Sequence, residues 1–220
     1  MTYKDPSGKQ LSDYPQPSVA VDAALLTVTP EHTLAVLVIE DEELCLPGTF
    51  VHQGERIHQA LERGLLTKTG LTHIPVRQLQ LFDRPDRDNR GWVMSVAHLG
   101  ALPYSSVSTA LADNNLMLLN VDDKQARSLK YDHAEIIDAA VRELRSIYEQ
   151  QPDPYNLLER EEFTLLQLMD LHRTVAGGNA PLLKDTFRRR MSAQLEETGE
   201  MSEGTVGKPA KLYRRPARRP

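Results

Sequence analysis

The stretch that most limits the folds open to this chain is LPGTFVHQGERIHQALERGLLTKTGL, residues 46–71. A proline–glycine loop leads into a segment whose apolar positions recur at helical spacing, with Ile57, Ala60, Leu61, Gly64 and Leu65 on one stripe. The segment stops at Gly70, which can take the left-handed conformation that closes a helix. A helix with a single apolar stripe must bury it against another layer. The surrounding sequence supplies that layer. SVAVDAALLTV (18–28), TLAVLVIE (33–40), VRQLQLF (76–82) and GWVMSVAHLGAL (91–102) are strand-like runs bounded by turn residues, and NLMLLNV (115–121) is a weaker one. DHAEIIDAAVRELRSIYEQ (132–150) is an amphipathic helix with Ile136, Ala139, Ala140, Leu144 and Ile147 at helical spacing. Residues 1–17 are polar and proline-bearing and read as a loose lead-in.

A second unit follows. QQPDPYN (150–156) has two prolines and no periodicity, so 151–156 reads as a linker between a domain at 1–150 and another at 157–220. In FTLLQLMDLHRTVAGG (163–178), Thr164 is placed to cap a helix and the paired glycines to stop it. LLKDTFRRRMSAQ (182–194) is a further helix, with Leu183, Phe187 and Met191 spaced to pack on Leu165, Leu168 and Val175. A turn-rich stretch comes next, and KPAKLYRRP (208–216) reads as a short strand. Helix, tight turn, helix, then hairpin is the order of a winged helix-turn-helix.

Charge divides the chain in the same place. Residues 1–150 hold 14 Lys+Arg against 21 Asp+Glu, whereas residues from Lys184 onward hold 10 against 5. A basic end suits a polyanion; the plainer alternative is a solvated tail. Lys184, Arg188, Arg189 and Arg190 lie off the apolar face of their helix, and an arginine-rich helix can enter a major groove. Lys208, Lys211 and Arg214, with Arg215, would bring charge to the nucleic-acid backbone. The alternative is a charged helix facing solvent. One cysteine, Cys45, excludes an internal disulfide. The longest apolar runs fall far short of a bilayer span, MTYKDPSGKQ has no signal-peptide core, and the expected location is the cytoplasm. The seven histidines are scattered without metal-ligand spacing.

Residues 46–71 resemble the box of the Nudix family, G-x5-E-x7-R-E-U-x-E-E-x-G-U with U a bulky aliphatic. Glu55 takes the place of the first glutamate, Arg63 of the arginine, Leu65 and Leu71 of the aliphatics, and Gly70 of the last glycine. The departures are Thr49 for the first glycine, Gly64 for the glutamate after the arginine, and Thr67 and Lys68 for the paired glutamates. In a working Nudix box those carboxylates hold a divalent metal, and hard cations require oxygen ligands. Glu55 alone is a poor site and Lys68 repels a cation. The resemblance therefore implies no catalytic residue, no metal site and no required cofactor. Arg63, without its glutamate partners, either meets a ligand phosphate or bonds loop carbonyls.

FDRPDRDNRGW (82–92) is by its chemistry a solvated charged loop, with Arg84, Arg87 and Arg90 alternating with aspartates. It is also similar to a stretch in the Nudix-related transcriptional regulators called NrtR, with Asn89 for the usual proline. YDHAEIIDAA (131–140), FTLLQL, TFRRRM and GKPAKLYR (207–214) resemble further signatures of that family, in order, with Lys208 for the usual arginine. The likeness places Asp132 near a helix N-cap and His133 just inside it, and runs from about Ser18 to Arg215.

It implies an α+β chain: a Nudix-like α/β/α sandwich with a mixed sheet, followed by a winged helix-turn-helix. It further implies a homodimeric repressor of genes of NAD biosynthesis or salvage that binds double-stranded operator DNA and senses ADP-ribose or a related diphosphate. The residues it points to are Arg63, Arg84, Arg87 and Glu55 for the effector, and Lys184, Arg188, Arg189, Arg190, Lys208, Lys211 and Arg214 for DNA. The short strand region near 105–125 is a departure that leaves the pocket's outer wall open. Two rival readings stand beside this one: a residual Nudix pyrophosphatase acting on ADP-ribose-like substrates, and a protein-interaction module with a nonspecific basic tail.

Overall fold

A computed structural model describes residues 3–112, 115–178, 183–203 and 209–216. The first unit runs β1 (Ser18–Val28), β2 (Leu34–Glu40), β3 (Leu44–Cys45), β4 (Gly48–Phe50), α1 (Ile57–Thr69), β5 (Val76–Phe82), β6 (Val93–Ala101), α2 (Tyr104–Leu111), β7 (Leu116–Asn120) and α3 (His133–Gln150). Its strands form one mixed sheet in the order β3-β2-β1-β6-β5, with β4 also on β1 and β7 on β2. β1 and β6 run parallel in register from Ser18↔Val93 to Leu26↔Ala101, and the other pairs are antiparallel.

β1 is central and covered on both faces, which is why it reads as a continuous apolar run rather than an alternation. Val21, Ala23 and Leu25 pack with Ala60, Leu61 and Leu65 of α1 and Val107 of α2. Ala24, Leu26 and Val28 pack with Ile136, Ala140 and Leu144 of α3. The result is the expected sandwich, one sheet between helical layers. Gly70 closes α1 at φ 69°, as its sequence position predicts. The stretch near 105–125 differs from a simple strand region, because α2 occupies Tyr104–Leu111 before β7 begins.

The second unit runs β8 (Glu162–Thr164), α4 (Leu165–Ala176), α5 (Lys184–Ser192), β9 (Glu196–Met201) and β10 (Lys211–Arg214). Its small sheet has the order β8-β10-β9. Thr164 caps α4 by accepting the Gln167 N–H, and Gly177 ends the helix at φ 89°. Phe187 and Met191 are buried with Leu168 and Val175, as their spacing predicts, but Leu183 is 70% exposed. It stands at the N-cap of α5, before the first helical turn, so its side chain does not join the stripe. The turn-rich stretch after Gln194 contains β9, whose residues EETGEM lack apolar alternation and pair through the backbone.

Residues 151–156 are irregular, yet they are pinned. Asp153 is buried and accepts from Tyr148 Oη at 2.7 Å, from the backbone N–H groups of Leu157 and Leu158, and from Arg215 at 2.9 Å. The carbonyl of Pro152 accepts from His172 Nε2 on α4 at 2.5 Å. A carbonyl can only accept, so Nε2 carries the proton. The His172 ring also lies edge-on to Tyr148 of α3 and Phe187 of α5. This neutral, buried imidazole therefore sits where the two units meet.

Burial holds the His172 pKa below its ordinary 6.5, against the Pro152 carbonyl and Asp153, which favour the charged form. A depressed folded pKa makes a stabilising contribution that is present above 6.5 and lost as pH falls toward the folded value. Thermal melts should therefore shift downward from about pH 7 to about pH 5, and His172→Gln, which can still donate but does not titrate, should flatten that dependence.

Candidate functional site

Between β1, β6, the β5–β6 loop and the start of α3 lies a buried polar network. Asp22 of β1 accepts from Ser95 Oγ of β6 at 2.5 Å and from Arg87 Nη2 at 3.4 Å. Arg87, in the β5–β6 loop, grips Asp132 in bidentate fashion through Nε at 2.8 Å and Nη2 at 2.6 Å. His133, the first residue of α3, accepts the Leu46 N–H at Nδ1 (2.9 Å), which leaves its proton on Nε2, 3.7 Å from Asp22 Oδ1. Burial pushes the Asp22 carboxyl up, but the neighbouring His133 and Ser95 donors and the Arg87 charge outweigh it and hold the group below its ordinary value. Arg87 is likewise opposed by burial and kept protonated by its two carboxylate partners. Asp132 occupies the N-cap position of α3 without a capping hydrogen bond, because its carboxylate is committed to Arg87.

Above this network opens a cleft of about 350 Å³. Its walls include Gly48, Thr49 and Phe50 of β4, Lys68 of α1, Arg90 of the β5–β6 loop, and Lys130 and Tyr131 before α3. Arg90 is tied to the buried carboxylate of Asp88 at 2.7 Å, and its guanidinium lies 5.0 Å from the ring centroids of both Phe50 and Tyr131. Tyr131 takes φ 59°, a left-handed conformation that bulky residues rarely adopt. Such strain persists only where surroundings impose it, and it clusters at ligand sites.

The box residues are placed as follows. Glu55 meets Arg63 through both carboxylate oxygens at 2.8 Å and also accepts the His52 N–H at 2.9 Å. The Arg63 hydrogen bonds, first, hold its pKa down to about 2. Arg63 also donates to Thr49 Oγ1 at 3.2 Å and to the Phe50 carbonyl at 2.8 Å. Its guanidinium thus braces the loop that enters α1. Among the described residues no three His, Cys, Asp or Glu side chains are arranged to hold a metal ion.

Two departures from the box compensate each other. A Cβ on Gly64 would stand 2.7 Å from the Thr49 methyl, so the larger residue at 49 fills the room left at 64. Gly64→Glu alone should cost about 1–3 kcal/mol by overpacking. Thr49→Gly combined with Gly64→Glu should be more stable than the two single losses predict, in a thermal double-mutant cycle.

The second unit presents a basic face. Lys184, Arg188 and Arg189 of α5 are exposed and have no hydrogen-bond or ion-pair partner among the described residues. The Glu197 carboxylate raises the Lys211 ammonium above its ordinary value, against the weaker opposing charge of Arg188. Lys211 pairs with Glu197 at 2.8 Å and Arg214 with Glu196 at 2.9 Å, so β9 neutralises the wing cations. Arg190 points elsewhere: its Nη1 donates to the Glu149 carbonyl at the C-terminus of α3 at 2.9 Å. Gln194 donates to the Gln150 carbonyl at 2.9 Å. Lys208 lies outside the described residues.

Of the four residues that sequence points to for the effector, the cleft lining includes Arg87 alone, and that side chain is buried in its ion pairs. Arg63 and Glu55 brace the adjoining loop, and Arg84 pairs with Glu135 on the outside of α3 at 2.9 Å. Asp22, Phe50, Arg90, Lys130 and Tyr131, which line the cleft, are not among the residues the sequence points to for the effector. Asp22 has a visible signal in retrospect, a lone acid inside an apolar strand.

Residues 154–215 match the family model described as the NrtR DNA-binding winged helix domain. A curated relative from Acinetobacter baylyi, the ADPR responsive transcriptional repressor NtrR, is 29% identical over 216 residues, covering 93% of this chain and 84% of the relative. The crystal structure of Shewanella oneidensis NrtR complexed with a 27mer DNA superposes with a TM-score of 0.74 at 26% identity, over 90% of this chain and 93% of that one. An ADP-ribose pyrophosphatase from Methanocaldococcus jannaschii is 29% identical over 135 residues, 59% of this chain and 76% of the enzyme.

Proposed function

We propose that this chain, which joins a Nudix-like domain to an NrtR winged helix domain and so has the architecture of an NrtR regulator, is a DNA-binding transcriptional repressor controlled by ADP-ribose. It acts as a homodimer on double-stranded operators of genes of NAD biosynthesis or salvage, and its cleft holds the nucleotide without cutting it. The reading rests on the likeness to the Acinetobacter repressor and on one observation: helix α3 begins at the cleft and ends against α5. Its N-terminal Asp132 and His133 belong to the network beneath the cleft. Its last carbonyls, of Glu149 and Gln150, are held by Arg190 and Gln194. A ligand that repositions the start of α3 moves the platform on which α5 rests, which gives two sites one shared element.

The hydrolase reading has support from the Methanocaldococcus relative, but the residues here disfavour metal. Positions 64, 67 and 68 carry no carboxylate, and Glu55 is engaged on both oxygens. These donors do not fit a hard divalent cation.

The division of labour on α5 supplies the test. Operator fragments recovered by copurification with genomic DNA would be titrated in gel shifts with and without ADP-ribose. Arg189→Ala should weaken binding about 10-fold or more, the cost of a phosphate or guanine contact. Arg190→Ala should bind operator nearly as wild type does, while ADP-ribose loses much of its power to release the DNA. Equal loss of DNA affinity in both variants would return Arg190 to the DNA-contacting set; no defined complex from wild type would defeat the repressor reading.

A further inference from the structure

The cleft poses a problem of charge. The diphosphate of ADP-ribose brings two negative charges, and among the described residues no acidic cluster around the cleft is arranged to hold a metal that would balance them. Asp22 is committed to Ser95, Arg87 and His133, Asp88 to Arg90, and Glu43 to Lys130 at 3.2 Å. Asp41 and Glu42 sit exposed on the lip. Of the cations in the lining, Arg87 is buried between carboxylates, Arg90 is held by Asp88 between two rings, and Lys130 is paired. Lys68 is different. It reaches the cleft from the last turn of α1 and has no hydrogen-bond or ion-pair partner among the described residues.

We propose that the Lys68 ammonium is the resident counter-charge of a metal-independent diphosphate subsite, with Arg90 as the second cation, released from part of its pairing with Asp88 when the ligand enters. An ammonium is a compact point charge that suits phosphate oxygens, and a guanidinium presents a planar fork to a second phosphoryl group. The aromatic rings of Phe50 and Tyr131 that now flank Arg90 then become free to face the remainder of the nucleotide. This assignment rests on the effector reading above, and deepens it: it says which groups bind the diphosphate, and that they do so without magnesium.

Isothermal calorimetry on the full chain tests it, with ADP-ribose and inorganic pyrophosphate as probes, each in EDTA and in magnesium. Wild type should bind ADP-ribose with the same Kd in both buffers. Lys68→Gln should weaken binding in EDTA by about 10- to 100-fold, the loss of one charge-assisted contact, and Lys68→Glu should weaken it further. Lys68 is exposed, so both variants should keep wild-type melting in the absence of ligand. Wild-type affinity in Lys68→Gln, or a wild-type requirement for magnesium, would overturn the proposal. Lys68-dependent pyrophosphate binding without ADP-ribose binding would preserve the subsite and remove ADP-ribose as the effector. Silence with both probes would remove both.

Discussion

Arg87→Ala should destabilise the Nudix-like domain by about 3–5 kcal/mol, the usual cost of breaking a buried ion pair by deleting one partner. The guanidinium is 2% exposed and is shared by two carboxylates, Asp132 at 2.6 Å and Asp22 at 3.4 Å. Its removal leaves both charges buried, and they cannot recover their hydration without opening the cleft floor. Loss of Arg87 frees the Asp132 side chain to cap α3, which offsets only about 1 kcal/mol. Lysine is a poor substitute, because a point charge cannot make the two parallel bonds from Nε and Nη2. Denaturant titration of wild type, Arg87→Ala and Arg87→Lys checks this; a loss under about 1 kcal/mol for Arg87→Ala would show the network to be solvated rather than dry.

Operator binding should fall steeply with salt. Among the described residues each chain presents three unpartnered cations on α5, Lys184, Arg188 and Arg189, while Lys211 and Arg214 are neutralised by Glu197 and Glu196. The proposed dimer would therefore neutralise roughly six phosphates. At a slope of about −0.9 per phosphate, affinity should drop roughly 10³-fold between 50 and 200 mM salt. Glu197→Gln would free Lys211 and should steepen the slope by about one per chain. Fluorescence anisotropy of labelled operator across a salt series measures both slopes. A slope near zero would remove α5 as the electrostatic surface, and an unchanged slope in Glu197→Gln would show that the wing stays clear of the backbone.

Much of the architecture is legible in the sequence because its causes are local. The stripe of α3, the cap at Thr164 and the glycines at 70 and 177 each follow from residues a few positions apart, and the structure shows them. The wing strand β9 is not legible, since a strand paired on polar residues leaves no period-2 signal. The cleft was harder still. Arg87 meets Asp132 across 45 positions and Asp22 across 65, and nothing in a charged loop announces that one of its arginines turns inward. The same applies to Arg190. Three consecutive arginines look alike in sequence, but the helix's rotation aims one of them at the end of α3. The altered box was legible as chemistry; the pairing of Thr49 with Gly64 required the packing of β4 on α1.

The central claim is that the cleft recognises ADP-ribose, leaves it intact, and thereby loosens the protein's grip on DNA. Anisotropy of a labelled operator, saturated with protein in magnesium buffer and followed over time after one addition of ADP-ribose, tests all of it at once. The expected trace falls and stays low, because the ligand is not consumed. A trace that never falls would contradict the coupling, and one that falls and then recovers as ADP-ribose is hydrolysed would show that the site still works as an enzyme.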